Sequence, residues 1–469
     1  MKLHSTFFLA TTIMVFWVSP GEPQMLDRPP SPLTLDLAIQ FALDHYPSVR
    51  ASLARVSAEQ AGVDLTRTAF LPRVSMGYQG NMGTFNKASG LFFFAPYTPP
   101  IWGRQAPTTS YQGAWGSAAG VYAGWEPFDL GLRNANVEAA RAAERQAAAG
   151  VSLTKLDVGL GVGDAFFIVL MAQQTVEAMK ANLERRRVFA ETVTTLVKSG
   201  LRPGADASRA QAELALARTQ LIQAQQAEEI AKATLAEVLG VAGTPMEVAA
   251  GALLSLPRSN IREESTPESH PLAITQMATV DIFRKRKEAL DRAWVPRLEI
   301  QSVLFARGSS WDVAGNRIPG YDGLLPDTPN WAVGLALSFE LMDFASVRAK
   351  RRMEQHHEQA EAATYDQIIQ ALTGKQSKAR ATFEATQRVA DNTPVQVKAA
   401  RDAETQALVR YKSGLATVVE AAEAQQLLAQ ATVDDTLARL GMWRSLLGLS
   451  GAQGNLDPFL QLVRITNQH

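Results

Sequence analysis

The strongest constraint on the fold is that landmarks in the first half of the chain recur, in the same order, in the second half. Two pairs of prolines are each separated by 224 residues: Pro47 with Pro271, and Pro72 with Pro296. The tetrapeptide Lys-Ser-Gly-Leu occurs at 198–201 and again 214 residues later, at 412–415. Recurrence at a nearly fixed separation is the sequence signature of repeated structural units. The order of these landmarks therefore predicts a tandem duplication, built from two similar halves.

These landmarks place the first copy at residues 33–243 and the second at 268–451. A linker over 244–267 joins the two copies, and a C-terminal tail covers 452–469. The chain begins with Lys2 followed by an apolar stretch of twelve residues at 7–18. This stretch is shorter than the roughly 20 residues that span a bilayer, but it has the length of a signal-peptide core. We therefore predict an exported protein whose signal peptide occupies residues 1–24.

Each copy is expected to form a helix, a β-hairpin, a long helix, a turn and a final helix. The hairpins are expected at about 72–128 and 296–343, and the turns at residues 200 and 414. After Pro72 the pattern changes to alternation, with Val74, Met76 and Tyr78 separated by polar or small residues. This period of two indicates a strand that has one apolar face. Each strand spans about ten residues, the length that a tilted strand needs to cross a membrane.

The long helix of the first copy is predicted from Asp129 to Lys198, because no proline interrupts this stretch. Apolar residues recur every seven positions, in a row from Val162 to Val197 and in a second row that is broken only at Arg186. Such repeats produce a left-handed supercoil of packed helices. A helix of this size would be roughly 100 Å long. In the second copy, Pro394 is expected to kink or restart the corresponding helix.

The number of strands has a consequence for assembly. Four strands of membrane length cannot close a barrel, and an open edge in lipid leaves unpaired backbone groups that cost several kcal/mol each. The chain is therefore expected to oligomerise. Two copies would give an eight-stranded barrel filled by side chains, whereas three would give twelve strands around a wet lumen. The composition of the strands does not choose between these two possibilities.

Composition and spacing argue against several other functions. The 46 Lys and Arg residues balance 46 Asp and Glu residues, so the basic surplus of a nucleic-acid binder is missing. There are no cysteines, which excludes disulfides, thiolate metal sites and a lipidated cysteine. Glycines at 159, 161 and 163 lie within the heptad pattern, where they favour close helix packing over phosphate binding. No catalytic set, metal site or cofactor site is predicted, so we do not expect an enzyme.

The layout resembles the TolC-type outer-membrane efflux protein family. The resemblance is carried by 33–39, the Tyr46-Pro47 step, 69–72 before the first strand, and the two Gly-Leu turns. It implies an α+β membrane protein, a homotrimer that joins a long α-helical coiled-coil barrel to a 12-stranded β-barrel with four strands per chain. It also implies a site in the outer membrane of a Gram-negative bacterium, extending into the periplasm. The implied partners are outer-membrane lipid, a periplasmic adaptor and an inner-membrane pump of the RND, ABC or MFS class.

The resemblance further assigns roles to residues near the two turns. The periplasmic gate would comprise Asp206, Tyr411, Glu420 and Glu423. The turn residues that would contact the adaptor are Ser199, Gly200, Leu201, Ser413, Gly414 and Leu415. Glu420 and Glu423 share one helix face, so threefold symmetry would bring six carboxylates together and raise their pKa values. Where relatives place an arginine two residues after the second glycine, this chain has Ala416, so the gate network is expected to differ.

The function predicted from these features is a passive exit duct of a tripartite efflux pump or a type I secretion system. An alternative from a different class is a periplasmic coiled-coil scaffold whose strands form a soluble cap. The two differ in membrane association, because a channel needs detergent for extraction whereas a scaffold washes off. The sequence identifies neither the exported substrate nor the class of the cognate pump.

Overall fold

The computed structural model describes residues 29–84, 109, 111–257, 265–310, 318–339 and 342–467. The predicted signal peptide at 1–24 lies outside the described residues. The helices are α1 (Leu35–His45), α2 (Pro47–Arg67), α3 (Leu132–Lys198), α4 (Gly204–Val238), α5 (Pro271–Leu290), α6 (Asp343–Lys412), α7 (Val418–Gln453) and α8 (Asp457–Asn467). The strands are β1 (Arg73–Thr84), β2 (Gly113–Phe128), β3 (Arg297–Ser309) and β4 (Thr328–Ser338).

The first helical region is divided at a proline. Tyr46 has an extended backbone with ψ 132°, and Pro47 occupies the first turn of α2. A residue that precedes proline disfavours the helical conformation, whereas proline itself is accommodated in the first turn of a helix. A new helix therefore starts at Pro47.

Two rods dominate the molecule. Helix α3 has 67 residues and α6 has 70, which makes each about 100 Å long. Each long helix packs against the helix that follows it, α3 against α4 and α6 against α7. The heptad rows predicted for α3 are buried at Val162, Ala165, Val169, Val176, Ala190 and Val193. The helix-pairing expectation is therefore confirmed along α3.

Helix α6 runs unbroken through Pro394, so the alternative that this proline restarts the helix is wrong. Proline has no N–H for the carbonyl of Ala390, four residues earlier. The hydroxyl of Thr393 donates at 2.8 Å to Oδ1 of Asp435 on α7 and lies 3.5 Å from that carbonyl. The hydrogen bond from Thr393 to α7 and the packing of the two helices therefore stabilise α6 at the position of the proline.

The main core lies at the middle of α3. Four large side chains from three helices meet there with almost no exposed surface: Phe166, Phe167, Trp443 and Phe459. The Trp443 indole donates to the carbonyl of Ser255 at 2.8 Å. Phe459 belongs to α8, so the segment predicted as a C-terminal tail forms a helix that completes this core.

Glycines allow α3 to approach its neighbours closely in this core. A Cβ atom at Gly163 would lie 2.7 Å from Leu447 of α7, and one at Gly159 would lie 2.6 Å from Leu456. A Cβ at Gly161 would meet nothing within 4 Å. Helix α3 also contains a window of mean hydropathy 1.5 that is long and apolar enough to cross a membrane. Half of that window is buried in the core.

The four strands form one antiparallel sheet in the order β1-β2-β3-β4. One row across it joins Met76, Val121, Leu304 and Trp331, and all four side chains are exposed and apolar. A row on the opposite face joins Gln79, Ala118, Arg307 and Thr328. The sheet thus has an apolar face and a polar or small-residue face, as the alternation predicts. In the described part of the chain, β1 and β4 pair on one side only.

Candidate gate at the helical tips

The two predicted turns have matching geometry. Gly200 and Gly414 adopt left-handed backbones with φ of +74° and +78°. The N–H of Leu201 donates to the carbonyl of Leu196 at 2.9 Å, and the N–H of Leu415 donates to that of Arg410 at 2.8 Å. Glycine is favoured at this position because it has no Cβ to clash, and the hydrogen bonds are those of a Schellman motif.

The turn residues are exposed. Leu201 is 69% exposed to solvent, and Leu415 is 71% exposed. Ser199 and Ser413 are exposed as well, and each hydroxyl donates to the carbonyl four residues earlier at 3.0 Å. Each tip therefore presents one leucine and a glycine in otherwise polar surroundings, which leaves it accessible to a partner.

Tyr411 is the buried centre of the cluster behind the tips. It lies in the last turn of α6 and is 1% exposed. Its ring packs against Phe189 of α3, with a centroid separation of 5.5 Å. Ala210 of α4 and Ala421 of α7 belong to the same buried cluster. Tyr411 is thus enclosed by side chains from both helical hairpins and holds them together at the tips.

Arg202 joins the two turns. Its Nη2 donates to the carbonyl of Tyr411 at 2.5 Å and lies 3.4 Å from that of Ala416. Its guanidinium carbon lies 4.5 Å from the centroid of the Tyr411 ring, a cation–π distance. Arg202 follows Gly200 by two residues, just as Ala416 follows Gly414. Sequence reasoning noted the missing basic residue at 416 but overlooked the arginine at the equivalent position of the first turn.

Asp206, another residue of the predicted gate, lies near Tyr411. Asp206 lies in the first turn of α4, close enough for its negative charge to influence the Tyr411 hydroxyl. The hydroxyl has no hydrogen-bond partner of good geometry among the described residues. Burial raises the pKa of the Tyr411 phenol, and the Asp206 carboxylate raises it further, whereas Arg202 acts in the opposite direction. The phenol therefore stays protonated and uncharged at neutral pH.

Glu420 caps its own helix. The backbone N–H of Thr417 donates to Glu420 Oε1 at 3.1 Å, and the Glu420 N–H donates to the Thr417 hydroxyl at 3.2 Å. This reciprocal pair is a capping box at the start of α7. Hydrogen bonds from the Thr417 backbone and side chain lower the pKa of the Glu420 carboxyl. Glu423 is exposed one turn further on. Both carboxylates are thus at the surface of a single chain.

Arg186, which breaks the heptad row, lies in a buried polar layer that is further from the tips than the Tyr411 cluster. It is 2% exposed, and its Nη1 lies 3.7 Å from Glu213 Oε2 on α4. Its Nη2 is 3.4 Å from Oε1 of Gln426 on α7. Burial lowers the pKa of the guanidinium, and Glu213 offsets part of that effect. The break therefore marks a charged contact that links α3, α4 and α7.

No group of His, Asp and Glu residues in the described ranges is arranged to hold a metal ion. The family model for outer membrane efflux proteins matches residues 38–241 and 276–455, which together make up most of the chain. The chain therefore belongs to the outer membrane efflux protein family. It is an outer-membrane channel protein of the efflux class from a Gram-negative bacterium, and it extends into the periplasm.

Individual relatives agree with this assignment. The chain is 30% identical to protein CyaE of Bordetella pertussis over 240 residues, which cover 51% of this chain and 46% of the relative. The match thus spans about half the length of that curated relative. Among solved structures, CusC superposes with a TM-score of 0.73 at 14% identity, covering 90% of this chain and 92% of CusC. The outer membrane protein VceC of Vibrio cholerae gives 0.71 at 16% identity, covering 90% and 96%. These two structures support the fold.

Proposed function

We propose that three copies of this chain form a passive exit duct for cargo that an inner-membrane pump delivers through a periplasmic adaptor. The observation that carries the proposal is a four-stranded sheet with an exposed apolar face and two open edges, joined to helices about 100 Å long. Open edges are costly in lipid, and closing them through neighbouring copies removes that cost. Three copies supply twelve strands, enough for a lumen. The duct itself performs no catalysis.

The proposed gate is the cluster of Asp206 and Tyr411 together with the exposed Glu420 and Glu423. Tyr411 is enclosed by both helical hairpins, so moving the hairpins apart would expose it. In a trimer the two exposed glutamates would face the axis and give a narrow, negative aperture that favours cations. The tips at 199–201 and 413–415 are the proposed contacts with the adaptor, because they are exposed and conformationally fixed. The tandem duplication with copies at 33–243 and 268–451 remains our prediction.

Planar bilayers containing the purified protein test this proposal. The expected result is a cation-preferring conductance that multivalent cations block from the periplasmic side. The double variant Glu420→Gln/Glu423→Gln should weaken the block, and Glu404→Gln, on α6, is the matched control. Unchanged block in the double variant would remove these glutamates from the gate. A protein that conducts no ions and washes off membranes without detergent would support a scaffold instead.

A further inference from the structure

The charged residues of the sheet are segregated to one face. The register sets Arg73 opposite Gly124, and Gly124 opposite Gln301, so these three residues share a face. Because side chains alternate along a strand, the same face carries the charged residues of β3: Arg297, Glu299 and Arg307. The remaining charged strand residue, Glu126, lies where the β2–β3 register shifts between Trp125 and Phe128. The opposite face carries no charge at a regular ladder position of the described strands.

The charged face is the concave one. The concavity is lined chiefly by residues of this face, including Gly77, Gly120, Tyr122, Phe305 and Gly334. The side chains of the other face, such as Met76, Leu304 and Trp331, are the strongly exposed apolar ones. In a closed barrel the concave face lines the lumen and the apolar face meets lipid. The charges at the ladder positions therefore point into the duct.

Two exposed arginines lie at the periplasmic base of this wall. Arg73 is the first residue of β1 and Arg297 the first residue of β3, and both are exposed. Within the described ranges neither has an ion pair or a hydrogen bond from its side chain. Glu299, in contrast, leans over Gly124, where a Cβ would be 2.7 Å from its Oε1, and accepts from Gln301 Nε2 at 2.9 Å. The glutamate at a ladder position of this wall is thus held by a neutral neighbour, and within the described residues it forms no ion pair with either arginine.

We propose that Arg73 and Arg297 form an anion-attracting ring at the base of the barrel lumen, through which the anionic groups of exported cargo pass. This inference rests on the proposed trimer, in which the ring would contain six guanidinium groups. Guanidinium binds carboxylate and phosphate oxygens through paired hydrogen bonds, and rings of arginine line anion-selective pores. The acidic aperture at Glu420 and Glu423 has the opposite sign. The duct thus has two charge filters in series, the second of which favours anions.

The reversal potential across planar bilayers in a KCl gradient tests the inference. All variants carry Glu420→Gln/Glu423→Gln, so that the acidic aperture does not dominate the selectivity. Arg73→Gln/Arg297→Gln should lower the anion-to-cation permeability ratio by about twofold or more, whereas Arg73→Lys/Arg297→Lys should leave it nearly unchanged. Glu299→Gln should raise the ratio, because it removes the only acid at a ladder position of this wall.

The neutral wall substitution Asn81→Ala is the matched control and should change nothing. If the channel conducts but its permeability ratio is the same with and without the two arginines, the arginine ring is refuted. A Glu299→Gln shift towards cations would refute it as well. If the protein conducts no ions at all, the proposed duct fails, and this inference fails with it. Trimer bands on gels and the helical circular dichroism signal verify that each variant is assembled before it is measured.

Discussion

Replacing Arg202 with alanine should open the proposed gate. The substitution removes the cation–π contact with Tyr411 and the hydrogen bond to its carbonyl, along with the longer contact to Ala416. The Tyr411 carbonyl keeps a 3.1 Å hydrogen bond from the N–H of Gly414, so the turn itself should stay folded. The loss falls on the contact between the two turns, because Arg202 is the side chain that reaches from one to the other.

The size of the effect follows from these contacts. A hydrogen bond from a charged donor contributes about 1.5–3 kcal/mol, and a partly exposed cation–π contact contributes about 0.5–1 kcal/mol. Arg202 is only half-buried, so we take the low end, about 2 kcal/mol per chain. If this energy stabilises the closed state alone, its loss shifts the closed-to-open ratio by roughly 30-fold for each chain of the proposed trimer.

Single-channel recording in planar bilayers measures this ratio as the open probability. Arg209→Ala is the matched control, because Arg209 is an exposed arginine on α4, the helix that follows the turn of Arg202. Arg202→Lys should be intermediate, since lysine keeps the charge but lacks the planar fork that reaches a carbonyl while stacking on a ring. The reasoning is refuted if Arg202→Ala stays as closed as the wild type, or if Arg209→Ala opens the channel equally.

Three further predictions concern stability, measured by thermal unfolding in detergent and followed by circular dichroism at 222 nm. Gly163→Ala should destabilise the protein by about 1–3 kcal/mol, because the new methyl group meets Leu447 in the core. Gly161→Ala should be neutral or stabilising, because a Cβ there meets nothing within 4 Å. Equal effects of the two substitutions would contradict the described packing. Burial lowers the pKa of His270 in the folded protein below 6.5. The uncharged imidazole therefore contributes to the free energy of unfolding in full above pH 6.5, and this contribution is lost as the pH falls through the lower pKa of the folded state. His270 caps α5, because its Nδ1 accepts from the N–H of Leu272 at 3.1 Å. His270→Asn retains an acceptor for this cap and should flatten the pH dependence; an unchanged slope would exclude His270 as the cause. Thr393→Val should cost about 1 kcal/mol through the lost hydrogen bond to Asp435, and no change would leave the unbroken helix at Pro394 unexplained.

Local sequence patterns contain most of the fold. The alternation at 74–78, the seven-residue rows along α3 and the glycines at 200 and 414 each have one physical meaning, and the structure places each element accordingly. Pro394 shows the limit of this reasoning. Its effect on α6 depends on the hydrogen bond that Thr393 makes with Asp435 of α7. Asp435 lies 41 positions further along the chain than Pro394.

The candidate site was only partly predictable. Asp206 and Tyr411 are 205 residues apart, and only the family resemblance suggested that they meet. Arg202 could have been found by comparing the two turns position by position, because it occupies the place of Ala416. The role of Glu420 as a helix cap was also readable, since Thr417 precedes it by three residues. The buried contact of Arg186 with Glu213 and Gln426 needed the three-dimensional packing of three helices.

The central claim, that open sheet edges close through two neighbouring copies, is tested most directly by cross-linking β1 of one chain to β4 of the next. The chain has no cysteine, so introduced pairs have a clean background. Tyr78→Cys on β1 would be combined in turn with Trp331→Cys, Val333→Cys or Leu335→Cys on β4. Partial oxidation of the in-register pair should give covalent dimers and trimers and no larger species, whereas Tyr78→Cys alone should give no trimer. Closure at the dimer, an open ladder of larger species, or monomers for every pair would contradict the account.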